Sequence, residues 1–257
     1  MPIIIGVVLV IAFAFHALRV AHPLFDLRLY KRWHFSAASI VMFTLGAAIF
    51  GAMILMPLYW QNLRGYDVIH TGLLSAPQGI GMAIMMPLAS RLTQRYGGGP
   101  VALGGVLITA VTTIPFALIT AHTSVMFLCV AMVFRGVGMG ASFMPAMTAA
   151  FAVLDRSEVS HATPQLNVIN RVGGSIGTTV LAVVLERSLV HAHTATQQAH
   201  SYGIAFWWSV GLAAVAVFPC MVLMRAESNA RKAARAAGII NPDETALDSG
   251  AVAEALA

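Results

Sequence analysis

An arginine stands in the middle of an apolar stretch, Val125–Phe143, in the run Phe134-Arg135-Gly136-Val137-Gly138-Met139-Gly140. A guanidinium at mid-bilayer costs at least ~2.5–3.5 kcal/mol on insertion scales, so Arg135 is expected to face a bundle interior or a wet cavity. Gln78, Asn167 and Asn170 place amides inside or at the edge of other apolar stretches. Together with Met139 and Phe143 they could line a cavity for small amphipathic molecules: amides orient a ligand, and methionine adapts to many apolar shapes. Gln61, Met82, Met85, Met86 and Met144 are weaker candidates for the same lining. A second group, Arg91, Gln94, Arg95 and Gly97, lies in a short basic segment between two stretches. No acidic residue is expected inside a membrane span, and of the histidines only His16 falls within one. Proton relays across membranes use such groups, so this chain is not expected to couple to protons unaided. His191, His193 and His200 read as a solvated loop without further ligands nearby, and Cys129 and Cys220 as small residues within apolar spans. Metal and cofactor binding are therefore not expected. Nor is an enzyme, because paired carboxylates and a nucleophile–base constellation are both missing.

These residues need helices to position them. Hydrophobic residues make up 58% of the chain and charged residues 10%, against roughly 45–50% and 25% in soluble domains. Seven apolar stretches run Pro2–Leu18, Ala37–Tyr59, Leu73–Leu88, Val101–Ile119, Val125–Phe143, Val168–Leu185 and Ile204–Met224. Each is long enough as helix to cross most of a hydrocarbon core of about 30 Å. The fold class expected is an all-α membrane protein with seven transmembrane helices. If the sides alternate, eleven of the 15 cations fall in the loops after odd-numbered spans and in the tail, and only Arg64 and Arg187 in the loops of the other side. The positive-inside rule then puts the N-terminus outside and the C-terminus in the cytoplasm. The same scatter explains the basic pI of 9.7 without nucleic acid; the lipid bilayer is the partner it fits.

Glycines mark close helix contacts. Gly136 and Gly140 share one face, as do Gly173 and Gly177 in Asn170-Arg171-Val172-Gly173-Gly174-Ser175-Ile176-Gly177, and small residues at that spacing let helix backbones approach. The run Gly97-Gly98-Gly99-Pro100 is expected to form a tight reversal with positive φ, with Pro100 at the first helical position. Trp33 and Trp60 read as interface anchors. Arg225–Ala257 reads as a tail that opens as a short basic surface helix. Retinal proteins are excluded, since Lys31 and Lys232 both lie outside the spans.

His22-Pro23-Leu24-Phe25-Asp26-Leu27-Arg28-Leu29-Tyr30 resembles the PL-x-DLRLF stretch of 14-span drug:proton antiporters of the major facilitator superfamily. The segment from Ser90 to Gly105 resembles the cytoplasmic loop signature of that superfamily, with Gln94 where an aspartate is usual. The two glycine-rich runs resemble spans of the family's second half. The resemblance implies a linker helix and loop over residues 1–36, a six-helix C-terminal bundle over 37–224 built as two inverted three-helix repeats, and a cytoplasmic tail over 225–257. It implies one half of a multidrug exporter in a bacterial inner membrane, exchanging a small amphipathic substrate for protons. Its partner would be a missing N-terminal six-helix bundle that holds the acidic machinery. The alternative is a non-transporting fragment or membrane subunit that binds a partner through an exposed face carrying the small-residue stripes.

Overall fold

The computed structural model describes residues 33–120, 122–151, 156–190 and 192–236, excluding the side chains of 33–34, 156–161 and 230–236. The expected first span Pro2–Leu18, the loop up to Arg32, His191 and the tail beyond Ala236 lie outside this range, as does the side chain of Trp33. The described residues are helical throughout, joined by short turns: α1 (Trp33–Met53), α2 (Leu55–Leu58), a π-helical turn (Tyr59–Leu63), α3 (Val68–Tyr96), α4 (Gly98–Ala117), α5 (Val125–Phe151), α6 (Arg156–Leu189) and α7 (Ala195–Ala236). Six helices among them are long and apolar enough to cross a membrane, the first being Phe35–Leu63. The protein is an all-α membrane bundle.

The helices outrun the apolar stretches. The basic segment expected as a loop from Ser90 is helix as far as Tyr96, and Gly97 alone separates α3 from α4. Gly97 adopts φ 102°, where a side chain would clash with the backbone. Pro100 sits in the first turn of α4 rather than at its first position; its missing N–H costs nothing there. α7 does not stop at Met224 but continues to Ala236, so the expected tail begins as an extension of the last span.

Two sets of helices pack by the same rule. α1 lies along α6 and α7, and α5 lies along α3 and α4. The first helix of each three-helix set thus pairs with the second helix of the other set. Lipid offers no hydrophobic reward for pairing helices, so close packing must hold them. Gly173 and Gly177 of α6 abut the backbone at Phe43 and Ala47 of α1, and Gly136 and Gly140 of α5 abut that at Gln78 and Met82 of α3. At Gly140, an added Cβ would lie 2.9 Å from the Met82 carbonyl oxygen. The stripes are therefore buried inside the bundle, and a partner cannot dock on them.

Most of the interior falls into two large apolar clusters, with a small third one of Met85, Ala89 and Ala141 between α3 and α5. One, toward the Gly97 end, includes Phe35, Leu45, Val106, Ala146, Leu166 and Leu223. The other, toward the Arg64 end, includes Tyr59, Trp60, Phe116, Leu128, Leu185 and Phe206. Trp60 is fully buried there and stacks edge-on against Tyr59 and Tyr66, so it is a core residue and not an interface anchor. Tyr59 donates to the Thr120 carbonyl at 3.0 Å, Arg64 Nε donates to the Tyr59 hydroxyl at 3.0 Å, and Arg64 Nη2 donates to the Thr123 carbonyl. This network ties the end of the first span to the turn between α4 and α5.

Candidate functional site: two cavities joined at Phe50 and Phe143

Pro57 shapes the first cavity. It has no N–H to offer the Met53 carbonyl, so the helix is interrupted after Met53 and resumes as α2 and then the π-turn. Beside the break lies a cavity of about 430 Å³. Its walls are Ile49, Phe50, Met53, Met56 and Pro57 of the first span, Ser75, Gln78, Gly79 and Met82 of α3, and Met132, Met139 and Phe143 of α5. Gln78 and Met139 meet across it, the amide Nε2 donating to the thioether sulfur at 3.4 Å. Apart from Ser75 the remaining surface is apolar and methionine-rich.

The second cavity, about 550 Å³, is polar. Phe50 and Phe143 line it too, with Asn167, Asn170, Arg171, Gly174, Ser175 and Thr178 of α6. Asn170 is buried and Nδ2 donates to the Met42 carbonyl at 2.9 Å. Asn167 Nδ2 donates to Thr163 O at 2.9 Å, and Thr178 Oγ1 to Phe50 O at 3.3 Å. Neither lining contains an acidic side chain.

Five of the six residues singled out for a cavity therefore meet on one face: Gln78, Met139, Phe143, Asn167 and Asn170. The sixth, Arg135, lines neither cavity. It is 1% exposed and lies inside the bundle, its guanidinium carbon 5.8 Å from the Phe116 ring centroid. Its Nε and Nη1 have no hydrogen-bond partner among the described residues. Of the weaker candidates Met82 joins the first cavity, whereas Gln61, Met86 and Met144 are exposed and Met85 packs between α3 and α5.

Known proteins give this geometry a family. The sequence model of the Major Facilitator Superfamily matches residues 3–178. This chain belongs to the major facilitator superfamily. Among curated relatives, it is 34% identical over 182 residues to the uncharacterized MFS-type transporter YhcA of Bacillus subtilis (strain 168), covering 71% of this chain and 34% of that protein. It is 31% identical over 194 residues to a multidrug resistance protein B homolog of Mycobacterium tuberculosis (strain ATCC 25618 / H37Rv), covering 74% and 36%. It is 28% identical over 183 residues to the lincomycin resistance protein LmrB of Listeria monocytogenes, covering 71% and 39%. The match spans little more than a third of these relatives' length.

In this superfamily member the basic segment is a helix end. Arg91, Gln94 and Arg95 are exposed on the last turns of α3, with Arg95 5.4 Å from the Tyr96 ring centroid, and Gly97 is buried at the reversal. The residue that engages the reversal is one the sequence reading missed. Glu227, 1% exposed on the extension of α7, accepts from the Gly98 N–H at 3.0 Å through Oε1 and from the Gly99 N–H through Oε2. It satisfies two free donors at the α4 N-terminus and sets a carboxylate against the positive end of that helix. Glu227 lies past the apolar stretch that ends at Met224, on the same continuous apolar helix Ala195–Asn229, so the helix that carries the last span also carries a buried acid. A signal was available: Glu227 is a lone acid among Arg225, Arg231, Lys232 and Arg235, with a glycine run elsewhere needing an acceptor.

Proposed function

We propose that this chain forms the C-terminal half of a proton-coupled exporter of small amphipathic molecules, of the multidrug type. The observation that carries this reading is the pair of cavities that share Phe50 and Phe143, lined by residues of the first span, α3, α5 and α6. A methionine-rich wall beside a row of amides and hydroxyls suits ligands that share amphipathicity rather than shape. The names of the relatives in Mycobacterium and Listeria support the same class. A second six-helix bundle covers the cavities and carries the proton-coupling acids, consistent with cavity walls that hold none. The bundle lies in a bacterial plasma membrane with the N-terminus outside. The cation bias then puts Arg91, Gln94, Arg95 and Gly97 at the cytoplasmic end, where the α3–α4 corner meets the second bundle as the two halves rock. Arg135 supports transport from inside the bundle.

The test is export from cells that express this chain together with an N-terminal six-helix bundle of a longer relative. Accumulation of at least one fluorescent amphiphile from a panel of anionic, neutral and cationic dyes falls, and Phe143→Ala and Arg135→Ala restore it. Unchanged accumulation across the whole panel refutes the proposal.

A further inference from the structure

The charge of the cavity walls narrows the ligand class. Resting on the reading that this face binds the transported molecule, we infer that the site takes amphipathic anions: an aryl or acyl body in the methionine cavity, and a carboxylate, sulfonate or phosphate beside Arg171. Arg171 is the one formal charge in either lining. It has no hydrogen-bond or ion-pair partner among the described residues and is exposed to the cavity side of α6. Ser175 and Thr178 follow at one-turn spacing on the same face. The Thr178 hydroxyl donates to the Phe50 carbonyl, and Asn167 and Asn170 each commit one Nδ2–H to a backbone carbonyl, which leaves Arg171 as the charged donor for an incoming anion, with Ser175 one turn away. Guanidinium bonds to anions are stronger than neutral ones and have directional geometry. Phe50 and Phe143, shared by both cavities, mark the junction between the apolar body and the charged head. A cationic amphiphile would meet Arg171 with no carboxylate to receive it, a like-charge encounter in a site partly shielded from water.

The test compares two dyes of one ring system: 1-anilinonaphthalene-8-sulfonate, an anion, and N-phenyl-1-naphthylamine, which lacks the sulfonate. Binding is followed by fluorescence to the whole chain in phosphatidylcholine nanodiscs, with empty discs subtracted. The sulfonate binds saturably and more tightly than the neutral dye. Arg171→Gln weakens the sulfonate about tenfold, Arg171→Lys recovers most of that loss, and neither change affects the neutral dye. Phe143→Ala weakens both dyes. Equal affinity for the two dyes, or sulfonate binding indifferent to Arg171→Gln, overturns the charge assignment while leaving the cavity as a binding site. Loss of saturable binding for both dyes in the unaltered protein overturns the reading of the face itself as well. Discs containing phosphatidylglycerol settle the source of the anion: if that lipid displaces the sulfonate competitively, Arg171 holds a lipid headgroup and the inference fails.

Discussion

Removing the Glu227 carboxylate should loosen the whole Gly97 end of the bundle. Two backbone donors of α4 depend on it, Gly98 N–H and Gly99 N–H, and both residues are buried. Hydrogen bonds to charged groups contribute about 1.5–3 kcal/mol each, and a donor left buried without a partner incurs its full desolvation cost. Loss of an exposed helix cap typically costs ~1 kcal/mol. The buried, two-bond arrangement belongs well above that, at about 3–5 kcal/mol for Glu227→Ala. For a chain of this size each kcal/mol moves the midpoint by about 2–4 °C, which gives a fall of roughly 6–20 °C for Glu227→Ala. Glu227→Gln keeps one acceptor oxygen but turns an amide N–H₂ toward the other donor, so its fall should be about half as large. Gly99→Ala reaches the same contact from the other side, since its Cβ would lie 2.6 Å from Met224 Cα and 2.8 Å from Glu227 Oε2. The assay is the temperature at which half of the detergent-purified protein remains monodisperse, paired with amide exchange at Gly98 and Gly99. If Glu227→Ala and Glu227→Gln both stay within about 1 °C of the parent and exchange at these amides is unchanged, the carboxylate does not hold the corner.

Other positions give independent checks. Gly136→Val should cost about 1–3 kcal/mol or prevent folding, because its Cβ meets the Gln78 carbonyl, whereas Gly104→Ala, with open space around it, should be near neutral in the same melt. Arg135→Met should stabilise the purified protein by up to about 1–4 kcal/mol, since an apolar side chain of similar volume replaces a buried charge with unpaired nitrogens. The same change should reduce export in cells, a loss of function without a loss of fold. Asp67 caps α3 by accepting from the His70 N–H at 3.0 Å and also contacts the His70 ring, which holds its carboxyl below the ordinary 3.8. A depressed carboxyl stabilises the fold above its unfolded value and loses that contribution as pH falls through the lower folded value. Asp67→Ala should therefore be less stable than the parent at pH 6, and the difference should vanish in strong acid.

Apolar length made the bundle legible. A helix in lipid must satisfy its backbone internally, so stretches such as Leu73–Leu88 and Val125–Phe143 could be little else. Hydropathy records where the hydrocarbon ends, however, and not where the helix ends. The apolar stretch ends at Met224 while α7 runs on to Ala236, and Glu227 lies in that continuation. Its partners, Gly98 and Gly99, are about half the chain away, and no local pattern links them. Gly136/Gly140 and Gly173/Gly177 advertised a close approach through their spacing, yet spacing does not say whether the neighbour is internal or external. Trp60 failed for a similar reason: an aromatic at the end of a span looks the same in a lipid belt as in a core. The burial of Arg135 followed from the cost of a charge in hydrocarbon. Its distance from both cavities did not, because periodicity places it one turn from Met132 and Met139, which do line a cavity.

The positions of the cavities follow from where the glycines stop. α1 is fixed to α6 by Gly46, Gly51, Gly173 and Gly177, and α3 to α5 by Gly81, Gly136 and Gly140; each packs directly against the partner helix's backbone. Within such a pair there is no room for a ligand, and sliding would break many contacts at once. Both cavities lie between the pairs. The first separates the first span from α3 and α5, and the second separates α1 and α6 from Phe143 of α5. There the contacts are made by long, rotatable methionines and by two phenylalanines, whose rearrangement costs far less than separating packed backbones. A change in cavity shape is thus expected to move α1 with α6 as one unit and α3 with α5 as another. The seam at Phe50 and Phe143 would take up the displacement, beside the interruption that Pro57 makes in the first span.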